Sequence, residues 1–192
     1  FSEKNPKLST TENYDIFGMA YGNSTFVIVG QDVNANKPFT ANSIDAKTWT
    51  KRSTGSAATN FNSVIFSNGR FIAVCPKPDS ATGGTARIWT SDTNGNTWMT
   101  RNSDNGGIIV PGGLHVLATD GNGKILAAGG TQGGAGWITV STDNGATWRV
   151  VRDGSDYKSF TGKLYGAGYA NGNWYAFSGS AAYKSSDAST WT

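Results

Sequence analysis

The sequence predicts an all-β fold built from one repeated antiparallel unit, and three observations carry that prediction. A Thr-Trp pair recurs at Thr48-Trp49, Thr97-Trp98, Thr147-Trp148 and Thr190-Trp191, with Trp spacings of 49, 50 and 43 residues. A Ser/Asp turn cluster precedes each pair, and two short apolar runs around a polar turn lie upstream of each cluster. No segment of useful length carries the 3.6-residue periodicity of a helix.

The elements of the unit follow in order. Its first two runs read FGMAYGNSTFVIVG from Phe17, FNSVIFSNGRFIAVC from Phe61, LHVLATDGNGKILAAGG from Leu114 and LYGAGYANGNWYAFSG from Leu164. Runs this short and this rich in Val, Ile, Phe and Tyr predict strands. Asn68-Gly69 and Asn171-Gly172 are type I′ hairpin signals, because Asn and Gly accept the positive φ that such turns need. A loop of variable length leads to a third strand. The turns SIDAKTW, SDTNGNTW, STDNGATW and SSDASTW then lead into a fourth. Four antiparallel strands in about 48 residues describe one blade of a β-propeller. The expected blades are 13–52, 57–101, 112–152 and 162–192 plus 1–4, in a single domain over 1–192.

The last blade borrows from the start of the chain in this reading. The text stops at Trp191-Thr192 and begins with Phe1-Ser2-Glu3-Lys4. Joined, it reads TWTFSEK, beside TWTKR, TWMTR and TWRVVR elsewhere. The N-terminal strand is therefore expected to complete the fourth blade and close a ring of four, removing open sheet edges. A larger propeller, or exchange of strands between two chains, fits the same text.

Composition narrows the class. Charged residues are 15% and hydrophobic residues 37%, which excludes a charge-driven disordered chain. The 26 glycines with only five prolines suit many tight turns. The net charge is +3, with cations scattered and no run longer than Lys51-Arg52, so no nucleic-acid partner is expected. No apolar run approaches a membrane span. Cys75 is the only cysteine and reads as a small buried apolar residue. His115 is the single histidine, at the start of an innermost strand, and with so few ligand types no metal or cofactor is expected.

The turn clusters have a structural chemistry. Asp and Ser side chains bond to nearby backbone N–H groups, and Gly permits positive φ. Trp then covers the hairpin. A buried Trp removes roughly 150–250 Å² from water, on the order of 4–6 kcal/mol as an upper bound. Ser141, Asp143, Gly145 and Trp148 match S-x-D-x-G-x-x-W in full. In the second copy Thr93 replaces the Asp, and the outer copies lack the Gly. The pattern resembles the Asp-box, or BNR, repeat of sialidase-like propellers. Ala20-Tyr21-Gly22-Asn23 and Phe26–Gly30 are similar to propeller domains of bacteriophage tail and bacterial surface proteins. The resemblance implies a virion-associated or extracellular domain and host attachment.

Function is expected on the loops that join strands two and three and that join successive blades, which share one face of a propeller. They vary while the framework repeats, the pattern of a binding face on a rigid scaffold. Candidate ligand contacts are Tyr14, Asp15, Asp32, Asn34, Asn36, Asp79, Gln132, Asp156, Tyr157 and Phe160. Amides and carboxylates suit sugar hydroxyls, and aromatic rings stack on sugar rings. The expected ligand is a cell-surface glycan or receptor protein, with other subunits of a larger assembly as further partners. A purely structural or protein-interaction propeller is the alternative. Trp174, Trp89, Trp137 and Tyr183 are expected in the core.

No catalytic residue is expected. The sialidase resemblance implies a Tyr nucleophile paired with a Glu, and three arginines for the substrate carboxylate. Here Glu3 and Glu12 are the only glutamates. Arg52, Arg101 and Arg152 read as framework residues at one repeat position after the Trp, and several aspartates belong to the turns. A degenerate glycoside hydrolase is the remaining enzymatic reading.

Overall fold

The computed structural model describes residues 13–53, 60–76, 87–101, 112–131, 134–154 and 156–192. The described residues contain strands and turns and no helix. The first sheet holds β1 (Tyr14–Gly22), β2 (Thr25–Asp32), β3 (Lys37–Ser43) and β4 (Thr50–Arg52). The second holds β5 (Ser63–Ser67), β6 (Arg70–Cys75), β7 (Arg87–Ser91) and β8 (Met99–Arg101). The third holds β9 (Gly113–Thr119), β10 (Ile125–Gly130), β11 (Gly136–Ser141) and β12 (Arg149–Val150). A small extra hairpin follows, β13 (Arg152–Asp153) and β14 (Asp156–Tyr157). The fourth sheet holds β15 (Leu164–Ala170), β16 (Asn173–Ser178) and β17 (Ala182–Ser185). Thr192 exchanges both backbone hydrogen bonds with Lys184, which places the start of a further strand beside β17. The expected completion by residues 1–4 lies outside the described residues.

All pairings are antiparallel and sequential. The second strand of each sheet is its most buried, and in the second and third sheets its alternating side chains meet a neighbouring sheet on both faces. Val27 and Val29 of β2 pack with Val64, Phe71, Ala73 and Trp89 of the second sheet. Ile72, Val74 and Ile88 of the second sheet pack with Leu117, Ile125, Ala127 and Trp148 of the third. Leu126, Ala128, Ile138 and Val140 of the third pack with Leu164, Trp174 and Ala176 of the fourth. The blades thus stack face to face in chain order. Cys75, Trp89 and Trp174 are buried, and Tyr183 and Trp137 are partly buried against the same clusters.

The Ser/Asp turns share one hydrogen-bond plan. Ser141 Oγ donates to Asp143 and accepts from the Gly145 N–H at 2.8 Å, and Asp143 accepts from the Thr147 N–H at 2.9 Å. In the second copy Thr93 Oγ1 accepts from the Thr97 N–H at 2.9 Å, so the hydroxyl keeps one of the acceptor roles of Asp143. The short outer copies replace the Asn-Gly pair with one left-handed Ala, Ala46 at φ 57° and Ala188 at φ 66°. Backbone N–H groups of Thr48 and Lys47 hold the Asp45 carboxyl well below its ordinary value, and those of Thr190 and Ser189 hold Asp187 near about 2. In the third and fourth copies the Trp also closes the turn: Trp148 Nε1 donates to the Gly145 carbonyl and Trp191 Nε1 to that of Ala188.

The second, third and fourth turns also tie their blades to the preceding hairpin. Asn23 of the first hairpin donates to Asn94 Oδ1, Arg70 of the second to the Asn144 carbonyl, and Lys124 of the third to the Asp187 carbonyl. Bidentate pairing of Arg70 with Asp92 adds a charged clasp, with Nη2 to Oδ2 at 3.1 Å.

Two stability outcomes follow. Trp148→Ala should cost about 3–5 kcal/mol in chemical denaturation, as for other buried aromatic truncations. Ala46→Gly should gain about 0.5–1 kcal/mol, because an exposed left-handed Ala carries a Cβ penalty that Gly lacks. Urea midpoints of the two variants beside the parent check both.

Candidate functional site

The loop face is organised by the beginnings of the four inner strands. Three of these strands carry a bulge, read from their pairing with the second strand. Partners skip from Ile16 to Gly18, from Leu114 to Val116 and from Leu164 to Gly166. Phe17, His115 and Tyr165 are left over. A bulge removes one residue from the pleat and re-aims its side chain. Gly30 and Gly129 lie beside two of these bulges, where an added Cβ would meet the Asp15 and Gly113 carbonyl oxygens at 1.8 and 1.9 Å. Close backbone approach explains the terminal Gly of FVIVG and the first of the Gly pair in ILAAGG. Asn62 takes the matching position in the second blade, one residue before Ser63, which pairs with Val74 as Gly18 pairs with Val29.

These four positions form the candidate site. Phe17 is 48% exposed and Tyr165 62% exposed. The two middle positions bond to each other, with Asn62 Nδ2 2.6 Å from His115 Nδ1. The same amide donates to the Leu114 carbonyl at 3.2 Å, and Asn62 Oδ1 accepts from Asn60 at 2.6 Å. An amide donor on Nδ1 requires a neutral imidazole. Burial pushes His115 down to about 4, the nearby Lys163 charge acts the same way, and a bond to the Gly130 backbone opposes them. Lys163 Nζ lies 5.1 Å from the Tyr165 ring centroid. The set joins two exposed aromatic rings, a fixed polar pair and a cation.

The residues singled out from the sequence fall elsewhere. Tyr14 stacks on Phe39, with centroids 4.1 Å apart, and its hydroxyl accepts from Lys51 Nζ at 2.9 Å. Asp32 is 7% exposed, accepts from the Ala35 N–H at 3.0 Å and pairs with Lys51 at 3.0 Å. Those bonds lower its pKa, the backbone bond first. Asn36 is left-handed at φ 49° and accepts from Gln31 at 2.8 Å, so its exposed amide also braces the loop. Asp15 and Asn34 are exposed. Tyr14, Asp32 and Asn36 thus form one braced corner of the first blade.

Asp156 is exposed on the extra hairpin beside Tyr157, whose ring takes the Arg152 guanidinium at 4.6 Å and the edge of Trp137 at 6.3 Å. Phe160 is corrected: at 1% exposure it is core, packed edge-on to Tyr183 and Trp191. Its aromatic ring in a Gly-rich loop fills the third interface instead of facing solvent. Asp79 and Gln132 lie outside the described residues.

Arg152 is a second correction. Arg52 and Arg101 stand three residues after their Trp and bond inward, to Asn42 Oδ1 at 3.0 Å and Thr90 Oγ1 at 2.8 Å. Three residues after Trp148 stands Val151, 6% exposed. Arg152 is one residue further on and belongs to the extra hairpin over Tyr157.

No family model matches the chain, and no curated protein matches it. Solved structures do. YCF48 from Cyanidioschyzon merolae superposes with a TM-score of 0.61 at 16% identity, over 96% of this chain and 57% of that one. YCF48 bound to D1 peptide superposes at 0.52 and 14% identity, over 99% and 70%. The computationally designed Ika4 protein superposes at 0.55 and 13% identity, over 89% and 90%. At these identities the likeness is one of fold. With the sheet order above, it defines the chain as a β-propeller.

Burial of His115 has a measurable consequence. Its folded pKa of about 4 lies below the ordinary 6.5, so between those values the unfolded chain binds the extra proton. Stability should therefore fall as pH drops from about 6.5 towards 4. His115→Gln, which cannot titrate, should remove the fall in that window and keep the loss below pH 4 that comes from Asp45 and Asp187. Denaturation midpoints of both proteins across pH 3–8 check this.

Proposed function

We propose that this propeller is a non-catalytic protein-binding module that takes an extended segment of a partner across the beginnings of its inner strands. The observation that carries the reading is the pair of exposed aromatic rings, Phe17 and Tyr165, on either side of the bonded Asn62–His115 pair. Exposed aromatic rings bury apolar side chains at little entropic cost. Bulge positions aim them without disturbing the sheet. Lys163 favours an acidic residue next to an apolar or aromatic one in the partner segment. The peptide-bound YCF48 structure supports this use of the fold. The aspartates of the Ser/Asp turns are engaged by backbone N–H groups, which favours binding over hydrolysis.

A second reading is supported by the extra hairpin and the first-blade loop. Tyr157, Asp156, Asn34 and Asn36 present a ring, a carboxylate and amides at the surface, a chemistry that suits a glycan. That reading takes the Asp-box and phage-tail likeness of the sequence to mean a virion-associated or extracellular domain that attaches to a host glycan or receptor.

A random-peptide display selection should enrich segments that combine an acidic residue with an aromatic one. Phe17→Ala and Tyr165→Ala should each weaken the selected peptide about 10-fold or more by calorimetry, with native circular dichroism retained. A glycan array with discrete hits that are lost in Tyr157→Ala and kept in Tyr165→Ala would favour the second reading. Release of reducing sugar from those glycans would overturn the non-catalytic assignment.

A further inference from the structure

Among the described residues, Arg52, Arg70, Arg101, Lys124, Lys158 and Lys163 are the half-buried cations, and all but the last reach an oxygen. Arg52 bonds to Asn42 Oδ1, Arg101 to Thr90 Oγ1 and Lys124 to the Asp187 carbonyl. Arg70 pairs with Asp92, and Lys158 with Asp153. The Lys163 ammonium meets the Tyr165 ring, 5.1 Å from its centroid, and no carboxylate or carbonyl among the described residues. A charge drawn partly out of water without an oxygen partner costs free energy until an anion joins it.

His115 carries the second donor. Asn62 Nδ2 faces the Leu114 carbonyl, which can only accept, so that nitrogen is the amide NH2. The same group lies 2.6 Å from His115 Nδ1, so Nδ1 accepts and the proton of the neutral ring sits on Nε2. Asn60 holds the other end of the amide by donating to Asn62 Oδ1. The ring is thereby locked, with its N–H turned to the Gly130 backbone.

Lys163 packs on the same glycine. A Cβ added to Gly130 would lie 3.1 Å from the Lys163 Cα and 2.5 Å from the Ala135 carbonyl oxygen. Gly130, at the end of β10, therefore lets an imidazole N–H of the third blade and an ammonium from the segment entering the fourth come together. Towards β5 the ring meets the neutral Asn62 amide, and towards β10 the neutral Gly130 backbone. Among the described residues Lys163 is the charge that acts on it, and it disfavours protonation.

We infer that the Lys163 ammonium and the His115 Nε2–H bind one carboxylate between them, at the junction of the third and fourth blades. A carboxylate offers two acceptor oxygens, one for each donor. One cation with one neutral donor suits a singly charged anion; a phosphate dianion would keep a charge that nothing else described there balances. The inference deepens the peptide reading and rests on it for the source of the carboxylate, an acidic side chain or a free C-terminus. Bound there, the anion offsets the repulsion that Lys163 exerts on a protonated ring, so His115 takes up its proton more readily.

His115 is the single histidine, so its imidazole proton resonances report on this site alone. The probe is trifluoroacetate, which stays ionised throughout the titration, with chloride at equal ionic strength as the reference. Trifluoroacetate should shift the His115 resonances saturably and raise the ring's midpoint above its free value of about 4. Lys163→Met, which keeps the apolar stem, should raise that midpoint with no anion present and weaken trifluoroacetate about 10-fold or more. Lys47→Met, at an exposed cation of a Ser/Asp turn, should change neither. A response to chloride as large as that to trifluoroacetate overturns the inference. So does tighter binding of inorganic phosphate, or a Lys163→Met protein that binds trifluoroacetate as well as the parent. Two peptides then locate the source: one with a single internal aspartate and an amidated end, and one whose only acid is its free C-terminus. The peptide that moves the His115 midpoint upward identifies it. If trifluoroacetate binds and neither peptide does, the peptide reading falls and the anion site stands.

Discussion

The alternation of side chains along the second strand of each blade governs this molecule. A β-strand with apolar residues on both faces cannot meet water on either. Val27, Ile28 and Val29 illustrate it, as do Ile72, Ala73 and Val74, and then Leu126, Ala127 and Ala128. Each such strand needs one neighbour in front and one behind. Successive sheets supply them at each of the three interfaces between described blades. The face-to-face stack and the buried tryptophans follow from this requirement.

The Ser/Asp turns serve the stack instead of competing with it. Each closes its own hairpin through a Ser and an Asp or Thr acceptor, and those of the second, third and fourth blades also offer a carbonyl or amide to the hairpin of the preceding blade. Local turn chemistry and inter-blade attachment are therefore the same feature. This accounts for the persistence of the Ser and Trp in all four copies while the Asp becomes Thr93 in one and the Gly is absent from two. Thr93 keeps an acceptor for the Thr97 N–H, and Ala46 and Ala188 keep the left-handed backbone. What persists is a set of hydrogen bonds, and more than one residue type can make them.

Much of the architecture was legible because it is written in repeats and periods. Strand pairs, Asn-Gly hairpins and Trp plugs each have a sequence signal with a physical cause. The candidate site was not legible for an equally physical reason. A bulge is a mismatch of one residue between two strands, and neither strand alone displays it. Phe17 and Tyr165 read as ordinary members of apolar runs. Arg152 was misplaced because it stands one residue beyond the position of Arg52 and Arg101, and one residue turns a strand side chain to the other face. Phe160 misled because its loop is rich in Gly and polar residues, yet a backbone pairing with Gly136 pulls it into the core. Tyr21 and Phe66 occupy the same repeat position, yet Phe66, packed on the cluster shared with the first blade, is half-buried and Tyr21 is exposed.

Phe17 and Tyr165, exposed at their inner-strand bulges, stand outside the pleat, so the packing rules that fix their neighbours do not fix them. One chain already holds Phe, Asn, His and Tyr at the four equivalent places. At the two exposed places the scaffold can change its recognition chemistry one side chain at a time while its folding energy stays nearly constant, whereas Asn62 and His115 are tied to each other. Diversity among descendants of this chain should then concentrate at those two codons, with the surrounding framework held still.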